Sequence, residues 1–151
     1  MTADPTLRTA TPADYDRIAA VLDDWWGRPV SGALPRLFLD HFHATSAIAE
    51  ADGDLAGFLV GILSPSLPDA AYIHFVGVHP DHRRDGLARV LYERFFAMAA
   101  ADGRTVVRAV TSPVNARSIA FHAALGFTVS DQAPGYDGPG DVKVRFERSL
   151  P

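Results

Sequence analysis

Cysteine is absent from these 151 residues, which excludes a disulfide framework, a thiolate metal site, a cysteine nucleophile and thiol redox chemistry. Lysine is almost absent too: Lys143 is the only one among 14 basic residues. The positive charge is therefore guanidinium, permanently ionised and suited to bidentate phosphate contacts, although compositional bias explains it as well. Excess positive charge is also missing, since the formal net charge is -4, and without that electrostatic footprint nucleic acid is not expected as a partner. No uninterrupted apolar segment approaches the roughly 20 residues that span a bilayer, and residues 1–10 lack the basic stretch and apolar run of a signal peptide. The chain reads as cytoplasmic, with no membrane partner. Neither a metal-ligand cluster nor a Ser-His-Asp spacing is recognisable, and no internal repeat is found.

What is present is an ordinary globular composition, with 48% hydrophobic and 21% charged residues, of a length that fits one domain over 1–151. Residues 6–10 form a short strand candidate. Thr11-Pro12-Ala13-Asp14 then starts a helix, with Thr11 as N-cap and Pro12 in the first helical position, and Tyr15, Ile18, Leu22 and Trp25 recur at helical spacing. Gly27-Arg28-Pro29 breaks it, and a second helix is predicted over 34–43. Apolar runs at 45–51 and 55–63 are joined by Asp52-Gly53-Asp54, a hairpin signal. Residues 70–78 are apolar on both faces, as befits a central strand covered by helices, and Gly77 within them marks a bulge or a close backbone approach. A helix over 86–101 and a strand over 104–111 complete a βαβ crossover with a parallel strand pair. Asn115 caps a fourth helix to 125, and strands over 128–133 and 142–150 flank the loop 134–140. The fold class is α/β.

Two constellations carry chemistry. The turn from His79 to Ala88 links the central strand to a helix, and Gly86 and Ala88 are small where backbone N–H groups at the helix start must approach a ligand. An anion fits there, and Arg83, Arg84 and Arg89 add guanidinium donors; the other reading is a solvated turn whose small residues aid packing. In the fourth helix, Asn115, Ser118 and His122 fall on one stripe. Asn115 reads as an N-cap, and His122 either as a half-buried histidine bonded to a carbonyl or as a reactive group.

Together the turn and this helix resemble the GNAT superfamily of acyl-CoA-dependent N-acyltransferases. The family's phosphate-loop pattern Q/R-x-x-G-x-G/A is matched by Arg83-Arg84-Asp85-Gly86-Leu87-Ala88, between the fourth strand and the third helix. Its second signature, Asn followed seven residues later by an aromatic acid and then x-x-x-G-F, is matched by Asn115, His122 and Gly126-Phe127, with histidine where tyrosine is usual. The element order over 6–150 also fits, so the resemblance covers nearly the whole chain. It implies a mixed, mostly antiparallel central sheet with one parallel crossover and helices on both faces, a homodimer, and acetyl-CoA as cosubstrate without a metal. It further implies a pantetheine arm bonded to backbone at Val76 and Val78, and a pyrophosphate held by N–H groups from Arg84 through Asp85, Gly86, Leu87 and Ala88 to Arg89. The fourth helix adds Asn115, Ser118, Phe121 and His122, and a splay between the fourth and fifth strands admits the thioester.

The reaction expected from this resemblance is direct attack of a primary amine on acetyl-CoA, without a covalent enzyme intermediate, and the amine is that of a small molecule, an amino acid or a peptide N-terminus. An amine of pKa near 10.4 is neutral in only about one molecule in 2,500 at pH 7, so a base or desolvation must supply the free form. His74 is the candidate base, because period two places it on one face with Tyr72, Val76 and Val78. A backbone N–H near Val78 is the oxyanion donor. His122 is the candidate acid for the departing thiolate, since imidazole near pKa 6.5 serves when protonated. Trp25, Trp26, Tyr72 and Tyr136 are expected around the amine acceptor, although Trp25 also fits the helix core stripe. His79 and His82 are expected at the surface. A coenzyme A-binding sensor or interaction module without turnover is the alternative from another class, and the missing tyrosine is what favours it.

Overall fold

A computed structural model describes residues 4–151. In chain order its elements are β1 (Thr6–Thr9), α1 (Asp14–Trp26), α2 (Leu37–Phe42), β2 (Ala47–Ala51), β3 (Asp54–Leu63), β4 (Ala70–Val78), α3 (Leu87–Ala101), β5 (Val106–Thr111), α4 (Ala116–Ala124), β6 (Thr128–Val129), β7 (Ala133–Pro134) and β8 (Val142–Ser149). Short 3-10 turns lie at Ser31–Ala33, His43–Thr45 and Pro80–His82. The chain divides into two compact units: the first is the chain up to Ile62 with Ile73–Met98, the second Leu63–Tyr72 with Ala99–Pro151.

In the first unit the strand order is β1-β2-β3-β4. β1 and β3 flank β2 in antiparallel register, and Asp52 and Gly53 both take positive φ in the β2–β3 turn, as the predicted tight hairpin requires. The apolar stripe of α1 is its buried face: Ile18, Leu22 and Trp25 pack with Leu34, Leu39, Ile48, Phe58 and Val60. Charge fixes where α1 begins. The Arg8 guanidinium forks onto the Asp14 carboxylate at 2.7 and 2.9 Å and reaches Glu50 at 2.9 Å. Asp14 in turn accepts from the Thr11 backbone N–H at 2.7 Å and from the Thr11 hydroxyl at 3.0 Å. Thr11 was expected to cap the helix; instead Asp14 caps backward onto Thr11. The Arg8 pair holds its carboxyl down to about 2, against the opposing effect of burial.

In the second unit the first residues of β4, Ala70–Tyr72, pair in parallel with Val106–Arg108, and β5 pairs antiparallel with β8 over Val106–Thr111. β6 and β7 both pair with β8. The sheet is therefore mixed and mostly antiparallel with one parallel pair, as expected. Arg104, expected in a strand, instead braces the loop before β4, donating to the carbonyls of Ser64, Leu67 and Ala70.

Two further boundaries differ from expectation for identifiable reasons. The second helix starts at Leu37 rather than 34, because Leu34 precedes Pro35 and is pushed out of the helical region, to φ -132 and ψ 77. The strand expected over 128–133 splits into β6 and β7. There the Ser130 hydroxyl takes the Arg145 N–H of β8 at 2.9 Å, where a regular ladder would use a backbone carbonyl.

Candidate active site

In the first unit the central feature is His74 on β4. Its Nε2 lies 2.7 Å from the carbonyl of Ala33, and its ring lies face to face with Phe38, centroids 4.0 Å apart and planes 3° off parallel. A carbonyl can only accept, so Nε2 carries the hydrogen, and in the neutral ring the lone pair is on Nδ1. Burial pushes the His74 pKa below its usual value, partly opposed by the Ala33 carbonyl. At neutral pH the ring is thus neutral, the form a general base requires.

Ala33 reaches His74 because the segment after α1 is held in place. Gly27 ends the helix in the left-handed region, its N–H on the Asp23 carbonyl at 2.8 Å. The Asp23 carboxylate accepts from the N–H groups of Val30 and Ser31 at 2.8 and 3.0 Å. The Tyr15 hydroxyl donates to the Leu34 carbonyl at 2.9 Å. Trp25 is 7% exposed and packs on Phe58, so it belongs to the core. Trp26 is half-buried, its ring 4.7 Å from that of Phe75, which also borders His74. A Cβ on Gly77 would stand 2.4 Å from the Phe58 ring and 3.1 Å from that of Trp26. Glycine at 77 therefore serves close packing against β4.

The turn after β4 is tightly organised. His79 N–H donates to the Ala56 carbonyl at 2.8 Å, and its Nδ1 accepts from the Asp81 N–H at 3.0 Å. His82, expected at the surface, is buried at 6% exposure, with Nδ1 3.2 Å from an Asp85 carboxylate oxygen. It fills the inside of the turn, and its three-residue spacing to Asp85 was the signal that could have shown this. The Arg83 guanidinium points toward the end of α1, donating to the Trp25 carbonyl and, at 3.3 Å, to that of Val78. Arg84 and Arg89 are exposed, and Arg89 sits 3.7 Å from Glu93.

Gly86 has φ +75, and among the described residues, its chain neighbours aside, no heavy atom lies within 4 Å of where its Cβ would stand. Helix α3 carries no acidic residue in its first turn, and Val90 N–H is bonded to the Gly86 carbonyl at 3.1 Å. The N–H groups before Val90 open the helix at the positive end of its dipole, without in-helix acceptors. The pyrophosphate of coenzyme A fits this chemistry, because donors and dipole converge on an open helix start whose first turn holds no acid, Asp85 before it being drawn toward His82.

The second unit holds the remaining expected residues. Asn115 caps α4, accepting from the Ser118 N–H at 3.2 Å and donating to the Thr111 hydroxyl at 3.3 Å. His122, 5% exposed, donates from Nδ1 to the Ser118 carbonyl at 2.7 Å and stacks on Phe146, with Phe121 and Phe127 at its edges. Burial lowers its pKa against the effect of that carbonyl. Tyr72 is half-buried, and burial together with nearby Tyr136 and Asp137 pushes its phenol up to about 12. Tyr136 is half-exposed on a loop braced by Lys143, which reaches Asp137 at 3.1 Å and Asp141 at 2.5 Å. Sequence reasoning missed Asp23, Ala33 and Phe38, whose relation to His74 is purely tertiary. Among the described residues no three His, Asp or Glu side chains gather as metal ligands, and no helix is long and apolar enough to cross a membrane.

This chain belongs to the acetyltransferase (GNAT) family, whose profile matches residues 13–127. It is 35% identical over 89 residues to an L-2,4-diaminobutyric acid acetyltransferase of Nocardia farcinica, covering 59% of this chain and 46% of that protein. It is 42% identical over 77 residues to an L-methionine sulfoximine/L-methionine sulfone acetyltransferase of Salmonella typhimurium, covering 51% and 42%. The chain thus spans less than half the length of these curated relatives. Its fold is similar to that of yncA of Salmonella typhimurium, solved with its cofactor acetyl-CoA, with a TM-score of 0.75 and 25% identity over 99% of this chain and 95% of that one.

Proposed function

We propose that this chain transfers the acetyl group of acetyl-CoA to the primary amine of a small acceptor of the amino acid class. The observation that carries the reading is the Arg83–Ala88 turn, which opens α3 directly after β4 with Gly86 uncovered and no acid in the helix's first turn. Backbone N–H groups from Gly86 to Arg89 hold the pyrophosphate, and Val76 and Val78 offer backbone to the pantetheine amides. Asn115, Ser118 and Phe121 enter the proposal on the family's second signature alone. The acceptor class is supported by the amino acid substrates in the names of both relatives. Action in the cytoplasm, as a homodimer, completes the proposal and rests on the composition and on the family resemblance.

In the step itself the neutral amine attacks the thioester carbonyl, the C–S bond breaks and the electron pair leaves on sulfur. Neutral His74, through Nδ1, takes the proton that the amine sheds, directly or through a water, while a backbone N–H near Val78 faces the developing oxyanion. His122 is assigned to packing. Its Nδ1 proton is engaged by Ser118, so donating from Nε2 would need the imidazolium that burial disfavours. A thiol of pKa near 8.5 leaves tolerably as its anion without such help.

Release of free coenzyme A thiol across a panel of amino acids, including L-2,4-diaminobutyrate and L-methionine sulfoximine, tests the proposal. Acetyl-CoA should also raise the melting temperature by mass action on the folded state. Gly86→Glu should abolish that rise, whereas Gly86→Ala, which shares the backbone strain without the charge, should retain part of it. Thermal stabilisation of Gly86→Glu equal to wild type would remove the phosphate-turn assignment. Binding without thiol release from any amine would favour the sensor.

A further inference from the structure

We infer that Asp23 is a positioning residue for this reaction: by gripping the amides of the turn that carries Ala33, it presents the Ala33 carbonyl to His74 and keeps the base's lone pair on Nδ1. The inference rests on the acetyltransferase reading given above and adds residues that neither the family's motifs nor the sequence pattern identify. The chain of contacts is short. Asp23 Oδ1 accepts from Val30 and Ser31, and the carbonyls of those same two residues close the turn by accepting from the Ala33 N–H at 2.9 Å and the Leu34 N–H at 3.2 Å. The Ala33 carbonyl is then 2.7 Å from His74 Nε2. Phe38, stacked on the ring, limits its rotation.

The placement of Asp23 supports a role beyond the helix. A carboxylate in the last turn stands at the negative end of the dipole, where it is disfavoured; α1 has no basic residue of its own there, although Arg83 reaches the Trp25 carbonyl at that end. Without the Ala33 carbonyl, His74 could place its proton on Nδ1 and so occupy the nitrogen that must accept one. The groups facing the ring within this unit include the Ala33 carbonyl, the Phe38 ring and the Phe75 ring. Of the ionisable groups on the elements packed against it, Asp40 and His41 of α2 are exposed, Arg28 is exposed, and Arg36 is paired with Asp16.

Long-range proton–nitrogen spectra of the 15N-labelled chain read the tautomer directly. Wild type should show His74 with its proton on Nε2. In Asp23→Ala, an exposed position that the fold should tolerate, the two ring nitrogen shifts should move toward each other as both tautomers populate. Its kcat should fall about three- to tenfold while the KM for acetyl-CoA stays within twofold, as expected for a misplaced catalytic group. Asp23→Asn, whose Oδ1 can accept from the same two amides, should restore both the spectrum and kcat. A wild-type His74 protonated on Nδ1 overturns the inference, and so does an Asp23→Ala variant with unchanged tautomer and kcat, or an Asp23→Asn variant that restores neither. Absence of acetyl transfer by wild type would overturn the functional reading instead, and the ring spectra would still decide the tautomer.

Discussion

His74 in the first unit and His122 in the second stand in nearly the same surroundings, reached by different routes. Each ring lies flat against a phenylalanine, Phe38 or Phe146, with centroids 4.0 Å apart and planes 3° off parallel. Each has one ring nitrogen 2.7 Å from a backbone carbonyl. His122 uses Nδ1 and finds its carbonyl one turn back in its own helix, whereas His74 uses Nε2 and a carbonyl 41 residues away. The lone pairs therefore fall on opposite nitrogens. Burial lowers both pKa values, and the same shift has opposite consequences. A neutral imidazole serves as a base and cannot supply a proton from the nitrogen that holds its lone pair, so surroundings of this kind would suit His74 to the proposed base role and would make His122 a poor acid.

The largest effect expected from breaking this comparison is at His74. His74→Ala should lower kcat by about 10²- to 10⁴-fold, the usual contribution of a general base, with the KM for acetyl-CoA within a few-fold in steady-state assays. Next comes the partner ring. Phe146 is 1% exposed, so Phe146→Ala should cost about 3–5 kcal/mol in urea unfolding, and half-buried Phe38 should cost less when truncated.

Protonation sharpens the contrast on a smaller scale. The folded-state pKa of His122 lies below its unfolded value near 6.5, so below that pH the unfolded chain binds more protons. Stability should be complete above pH 6.5 and decline as pH falls, by at most about 1.4 kcal/mol per pH unit for this group. His122→Phe should flatten that decline. Asp14 acts separately and lower, since its contribution is complete above about 3.8 and is lost as pH falls toward about 2. The smallest effect concerns catalysis at position 122: His122→Phe should keep kcat within about tenfold of wild type from pH 6 to 9, because a thiol of pKa near 8.5 is a tolerable leaving group as its anion. A larger loss would return the acid role to His122.

How far the chain could be read in advance follows from how local each feature is. The Arg83–Ala88 turn and the Asn115 cap with its His122 stripe are written in neighbouring residues, and β4 falls on 70–78 as expected. Pro35, which delays α2, is an equally local signal. The tautomer of His74 was not legible, because it depends on where a 3-10 turn far along the chain places one carbonyl. The guanidinium of Arg83 fits the motif by position, yet it binds the end of α1, since a motif specifies residue type and spacing without specifying where a long side chain points.

The pH dependence of kcat in wild type and in His74→Ala tests the assignment of the base most directly, because kcat reports groups in the bound complex. Assignment of His74 as the base requires an acid limb in wild type with its midpoint below the ordinary imidazole value of about 6.5, and requires that limb to vanish from the residual activity of His74→Ala. The same limb at the same midpoint in the variant would contradict it.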